Sequence, residues 1–275
     1  MDELVTTQWL ADHLDDEDIR IVDATFLLPG SGRDAREEYA AAHIPGAVYL
    51  DISRVADSAH PAPNMLPRPH RFAEEMRQLG IGHDDRIIVY DNSPHHNAAR
   101  GWFMLRHFGA RQVAILDGGL QKWLAEGRPV DAAAPTIHDT VFRATEGDME
   151  VAAKADILAG KTPPVIDARG PDRFAGNSPE PREGLEAGHI PGARNLPYAD
   201  LYNEDGTFKD KDGLAAAFAE AGVDPAQPFT ASCGSGVTAC ALIFAARQLG
   251  HDSGILYDGS WAEWGADPET PKERS

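Results

Sequence analysis

At 275 residues the chain is long enough for one or two domains, each with its own core. Its 25 Lys and Arg against 44 Asp and Glu give a formal charge of −19, which argues against nucleic acid or an anionic membrane as partner, since both need a cationic surface. The acidic start Met1-Asp2-Glu3-Leu4-Val5-Thr6 reads as neither secretory signal nor anchor, no stretch approaches the ~18 apolar residues of a membrane span, and two cysteines seven apart cannot build a disulfide framework or a four-ligand zinc site. The expectation is a reduced, cytoplasmic protein with no metal and no cofactor.

The predicted elements run twice. An amphipathic helix over 7–14 leads to the β-branched strand Ile21-Val22-Asp23-Ala24, a variable loop, the turn Ala42-His43-Ile44-Pro45-Gly46-Ala47 and a second short strand. A helix over 70–79, a central strand over 86–90, a helix over 98–108 and a strand over 112–116 follow, ending in Asp117-Gly118-Gly119 with Trp123 beyond. The second pass opens with a helix over 151–159 and the strand Val165-Ile166-Asp167-Ala168. The turn Gly188-His189-Ile190-Pro191-Gly192-Ala193 comes next, then elements over 213–221, 228–232, 238–249 and 253–257, and finally Asp258-Gly259-Ser260 with Trp264 beyond. Asp23 and Asp167 are 144 residues apart, His43 and His189 are 146 apart, and Asp117 and Asp258 are 141 apart. Blocks matching in order at a nearly constant offset mean two copies of one domain. Strands alternating with helices imply an α/β fold in which each copy is a mostly parallel sheet flanked by helices. The expected division is a first domain over 1–131, a linker over 132–149 and a second domain over 150–275.

Ligands in such sheets collect outside the carboxyl ends of the strands, so the ends of the two central strands decide which copy is active. In the second copy that end is Cys233-Gly234-Ser235-Gly236-Val237-Thr238, running into an apolar helix. Two glycines let the backbone curl and turn successive N–H groups inward, and the helix start adds its own donors. A thiolate suits that cup, which reads as a nucleophile site built on Cys233 with Gly234, Gly236, Val237 and Thr238 around it. Cys240, two turns deeper among Ala and Leu, reads as a small core residue. In the first copy Asp91 stands where Cys233 does, followed by Asn92-Ser93-Pro94-His95-His96-Asn97, so that copy lacks the nucleophile. His95 and His96 lack a third ligand at metal-binding spacing.

With these blocks the chain resembles the tandem-domain rhodanese family: His-Ile-Pro-Gly-Ala in both halves, Asp-Gly-Gly or Asp-Gly-Ser before a Trp, and one central-strand cysteine in the second half. The resemblance implies two rhodanese-like domains, the second catalytic, and sulfur transfer from a small-molecule donor through a Cys233 persulfide to a thiol such as thioredoxin or glutathione, or to cyanide. Cys-Gly-Ser-Gly-Val-Thr-Ala at 233–239 is similar to the loop of members that use 3-mercaptopyruvate and release pyruvate. Thiosulfate-using members tend to carry basic residues after the cysteine, where this chain has Gly234 and Ser235. The segment from Arg173 to Arg182 resembles the one whose two arginines hold the substrate carboxylate and ketone, a task a planar, permanently charged guanidinium suits.

The resemblance further implies a relay of a loop serine, a first-domain histidine and an aspartate, for which Ser235, His43 and Asp34 are the candidates. His43 also has a second reading, as scaffold of its turn, because His189 occupies the equivalent turn. The alternatives are a thiosulfate:cyanide sulfurtransferase and a persulfide carrier without turnover. Cysteine phosphatases need an arginine six positions after the cysteine, and here that position is Ala239.

Overall fold

The computed structural model describes residues 1–28, 30–145, 147 and 149–275. The chain forms two compact units, one of residues 1–56, 67–148 and 204–207, the other of 57–66, 149–203 and 208–275. Each unit therefore takes a short segment from the other half of the sequence. The expected linker over 132–149 includes positions 146 and 148, which lie outside the described residues. Part of it docks on the first unit, with Phe142 buried edge-on against Phe72 at 5.6 Å.

The first unit runs β1 (Leu4–Val5), α1 (Thr7–Asp12), β2 (Ile19–Asp23), α2 (Ala35–Ala41), β3 (Val48–Tyr49), α3 (Ile52–Val55), α4 (Pro69–Gln78), β4 (Arg86–Tyr90), α5 (Ala98–His107), β5 (Gln112–Leu116) and α6 (Gly119–Ala125). The second repeats the plan as β6 (Val151–Ala152), α7 (Lys154–Leu158), β7 (Val165–Asp167), α8 (Pro171–Ala175), β8 (Arg194–Asn195), a 3-10 turn (Tyr198–Leu201), α9 (Lys211–Glu220), β9 (Phe229–Ser232), α10 (Ala239–Gln248), β10 (Gly254–Tyr257) and α11 (Ser260–Trp264).

The sheets have the orders β1-β5-β4-β2-β3 and β6-β10-β9-β7-β8, and every pairing is parallel. The third strand of each order, β4 or β9, has neighbours on both edges and helices on both faces. That is why Ile87 to Tyr90 and Phe229 to Ser232 are buried without alternation. Behind β9, α10 buries eight consecutive residues from Ala239 to Ala246. A helix apolar all round belongs in a core.

The long elements stand within two residues of their expected bounds. The openings differ. Val151 and Ala152, expected as the start of a helix, form β6 beside Leu256 and Tyr257, and Leu4 and Val5 form β1 beside Ile115 and Leu116. Two residues are too few to show a period of two, so pairing, rather than pattern, makes these strands. The loops expected after β2 and β7 contain α2 and α8. Asp34 caps the first, and the second starts on Pro171 and ends at Gly176 in a left-handed turn, φ +80°.

Candidate active site

Cys233 is the first residue beyond β9 and is only 1% exposed. The loop that follows curls because Gly236 adopts φ +74°. A Cβ there would stand 2.5 Å from the Asp258 carbonyl oxygen, so both conformation and space exclude any other residue. The curl turns the N–H groups of Cys233 and Gly236 onto one acceptor, Ser260 Oγ, at 3.0 and 3.1 Å. The Ser260 hydroxyl has two acceptors in reach, the Tyr257 carbonyl oxygen at 2.8 Å and Cys233 Sγ at 3.9 Å. Cys240 is the second residue of α10, where its thiol donates to the Gly236 carbonyl oxygen at 3.3 Å and pins the loop from behind.

Sequence reading assigned the N–H groups of 234–238 to a negative sulfur. The structure removes Gly236 from that set, because its N–H is held by Ser260. Among the described residues, the N–H groups of Gly234, Ser235, Val237 and Thr238 have no protein acceptor, and they form the available donor array.

Ser260 was missed, although the sequence carried a signal. Where the first copy has Gly119 at φ +56°, the second has Ser260 at φ +48°, fully buried. A serine in left-handed backbone costs about 1 kcal/mol over glycine. Its hydroxyl is what the position gains.

The equivalence of Asp91 and Cys233 holds in three dimensions. Leu120 N donates to the Asp91 carbonyl oxygen at 3.0 Å, as Trp261 N does to that of Cys233. In the first unit, however, the Asp91 carboxylate itself accepts from the N–H groups of Ser93 (2.7 Å) and Ala98 (2.8 Å), and burial pushes its carboxyl up to about 6. That loop already carries its own anion.

Three arginines and two carboxylates flank the cysteine loop. Asp167, at the end of β7, binds Arg169, whose Nη2 stands 2.7 Å from Asp167 Oδ2 and whose Nη1 stands 2.7 Å from Glu180 Oε1. The Arg169 guanidinium also lies 4.6 Å above the Trp261 ring. The second Glu180 oxygen takes Arg173 Nη2 at 2.5 Å. A Cβ on Gly234 would come within 3.1 Å of that same Nη2, so Gly234 gives Arg173 its approach to the loop. Arg182 is half-buried and carries no described ion pair. Burial lowers its pKa, the charge of Cys233 opposes that, and the charge of Arg173 adds to it. Three guanidiniums against two carboxylates leave one positive charge beside Cys233. An anion therefore finds a local attraction in a strongly acidic chain.

Each of the three residues expected to form a relay has described partners of its own. His43 is buried in the first unit, with Nδ1 2.7 Å from the Tyr39 carbonyl oxygen, its ring stacked on Tyr39 at 4.3 Å and its backbone bridged to Asp131. His189 repeats each feature, with Nδ1 2.8 Å from the Phe174 carbonyl oxygen, a stack on Phe174 at 3.8 Å and a bridge to Glu273. The two histidines thus make equivalent bonds in the two copies. Asp34 caps α2, its Oδ1 accepting from Arg36 N and Glu37 N at 2.9 Å each. The described bonds of His43 and Asp34 are made within the first unit. Ser235 has its partner in the second, where Asn64 Nδ2 donates to Ser235 Oγ at 3.2 Å. Among the described residues no cluster of three His, Cys, Asp or Glu could hold a metal ion.

The rhodanese-like domain model matches residues 6–126 and 151–267. The chain belongs to the rhodanese family. Among curated proteins of this family it is 42% identical to the 3-mercaptopyruvate sulfurtransferase of Escherichia coli K12, over 98% of this chain and 97% of that one. It is 39% identical to the thiosulfate sulfurtransferase of Cricetulus griseus, over 97% and 94%. The crystal structure of SseA from Escherichia coli, described as a 3-mercaptopyruvate sulfotransferase with the rhodanese fold, superimposes with a TM-score of 0.86 at 40% identity, covering 95% of this chain and 99% of that one.

Proposed function

We propose that this rhodanese-family protein is a sulfurtransferase that takes the sulfur of 3-mercaptopyruvate onto Cys233 and passes it to a thiol. The observation that carries the choice of donor is the pair Arg173 and Arg182 beside a loop whose first two residues after the cysteine, Gly234 and Ser235, bear no charge. A keto acid offers one carboxylate and one carbonyl, which two guanidiniums match. Thiosulfate offers a compact dianion, for which cations directly after the cysteine would be better placed.

In the first half-reaction the substrate carboxylate lies on Arg182 and its ketone oxygen faces Arg173. The Cys233 thiolate attacks the substrate sulfur and an S–S bond forms. The C–S bond breaks, and its electron pair passes into the carbon chain as the pyruvate enolate. Arg173 faces the oxygen on which that charge develops, and a proton delivered to carbon then gives pyruvate. The sulfur stays on Cys233 as a persulfide, held by the N–H groups of Gly234, Ser235, Val237 and Thr238, just as an oxyanion hole holds oxygen. In the second half-reaction an acceptor thiolate attacks the outer sulfur, the S–S bond breaks, and the Cys233 thiolate returns. Thioredoxin and glutathione both have the required chemistry, and thiol acceptors of that kind fit a reducing compartment such as the cytoplasm. Among the described residues no helix is long and apolar enough to cross a membrane.

The test is the ratio of kcat/KM on 3-mercaptopyruvate and on thiosulfate with one thiol acceptor, using Cys233→Ser as blank. A strong preference for 3-mercaptopyruvate supports the reading. A preference for thiosulfate keeps the persulfide and replaces the donor, whereas persulfide formation without turnover makes the protein a carrier.

A further inference from the structure

The segment 57–66 belongs by position to the first half of the chain and by packing to the second unit. It is closed on itself, with Asp57 N donating to the Met65 carbonyl oxygen at 3.1 Å, Ala59 N to Asp57 Oδ1 at 3.0 Å and Ala62 N to His60 Nδ1 at 3.1 Å. It is fastened beside the cysteine loop at two points. Leu66 N donates to Asp258 Oδ2 at 2.6 Å, and His60 Nε2 stands 3.7 Å from Glu263 Oε1. Asp258 is the residue against which Gly236 packs. Between the two fastenings lies Asn64, 6% exposed, in left-handed backbone at φ +59°. Asparagine is one of the few residues that enter that region at low cost. The position presents its amide to Ser235, which is 5% exposed and two residues beyond Cys233.

The direction of this bond has a chemical consequence. An amide nitrogen only donates, so Ser235 Oγ accepts and its own proton must point elsewhere. Among the described bonds that proton has no protein acceptor, and Ser235 lies two residues beyond Cys233 in the same loop. We infer that Asn64 is the positioning residue of Ser235, holding the hydroxyl as a hydrogen-bond donor toward the sulfur bound at Cys233. The inference rests on the sulfur transfer proposed above. A carboxamide does not ionise, so Ser235 is oriented without a relay and keeps its proton throughout the reaction.

Two substitutions separate positioning from mere support. Asn64→Gly accepts φ +59° without strain and removes only the amide. Asn64→Asp keeps the size and the backbone preference but offers an acceptor, which draws the Ser235 proton away from the loop. With 3-mercaptopyruvate as donor, kcat should fall roughly 3- to 10-fold in Asn64→Gly, the range expected for one hydrogen bond, and further in Asn64→Asp. In a Ser235→Ala background neither substitution should lower kcat again. Losses that multiply in the double variants would overturn the inference, as would full activity in Asn64→Asp. Wild-type turnover is the control for the reading beneath it. If the wild type turns over thiosulfate alone, the donor assignment fails, and the same cycle is run on the rate of Cys233 persulfide formation from thiosulfate, read by intact mass.

Discussion

Glu180 reaches Arg173 at 2.5 Å with one carboxylate oxygen while its other oxygen holds Arg169 at 2.7 Å, and its side chain is 1% exposed. This buried carboxylate ties one arginine that faces the cysteine loop to another that stacks on Trp261. Glu180→Gln removes the charge from both of its ion pairs, so that Arg169 keeps Asp167 as its anion and Arg173 loses its described one. The expected cost is about 3 kcal/mol in stability, typical of breaking a buried pair from one side. KM for 3-mercaptopyruvate should rise more than kcat falls, because Arg173 loses its aim. Urea unfolding and steady-state kinetics on the same preparation test both; an unchanged KM would separate Glu180 from the substrate.

Arg182→Ala should raise KM for 3-mercaptopyruvate roughly 10- to 100-fold, the loss of a charge-assisted carboxylate contact, and raise that for thiosulfate far less. Arg182→Lys should restore only part of it, since an ammonium cannot grip a carboxylate bidentately. Equal losses on both donors would remove the carboxylate role.

Ser260 allows its strain and its hydroxyl to be separated. Ser260→Gly relaxes φ +48° but leaves the N–H groups of Cys233 and Gly236 without their acceptor, so stability should fall by only about 1 kcal/mol as the two effects partly offset. Ser260→Ala keeps the strain and loses the bonds, and should cost about 2–3 kcal/mol. Turnover should drop in both variants to a similar degree if the hydroxyl orders the cysteine loop. Thermal melts paired with activity distinguish these expectations.

The first unit holds two buried carboxyls, Asp23 and Asp91, each pushed by burial from 3.8 up to about 6, with the charge of Asp91 adding to the rise at Asp23. A carboxyl whose pKa is higher folded than unfolded binds a proton preferentially in the folded state. Its contribution is therefore most favourable below pH ~4 and is lost as pH rises to ~6, about 3 kcal/mol per group by linkage. In the second unit Asp167 has Arg169 as its cation, whereas the equivalent of Arg169 in the first unit is Thr25. Urea unfolding at pH 4.5 and at pH 7 should show the wild type losing stability over that interval. Asp23→Asn with Asp91→Asn should lose markedly less, and identical slopes would show that neither group titrates there.

Much of the plan could be read before folding was considered. The repeat shows as matching blocks at a near-constant offset, and β2, β4 and β5 show as apolar β-branched runs because a parallel strand buried on both faces carries that composition along its own length. The candidate nucleophile shows because Cys233, Gly234 and Gly236 are neighbours in the chain. Arg173 and Arg182 stood out only through family likeness, since two arginines nine apart carry no local signature.

Other features belonged to the tertiary structure alone. The edge strands β1 and β6 exist only as partners of β5 and β10. Glu180 sat inside a segment already singled out, yet its role appears only where Arg169 and Arg173 meet it. Ser260 reaches Cys233 across 27 residues and Asn64 reaches Ser235 across 171, so neither contact leaves a trace in spacing or periodicity. Local pattern determined the sheets and the cysteine loop, because both depend on residues a few positions apart. The partners of Arg173, Ser235 and the cysteine loop were decided by folding, because a hydrogen bond needs two groups within about 3 Å and only the packed chain brings them there.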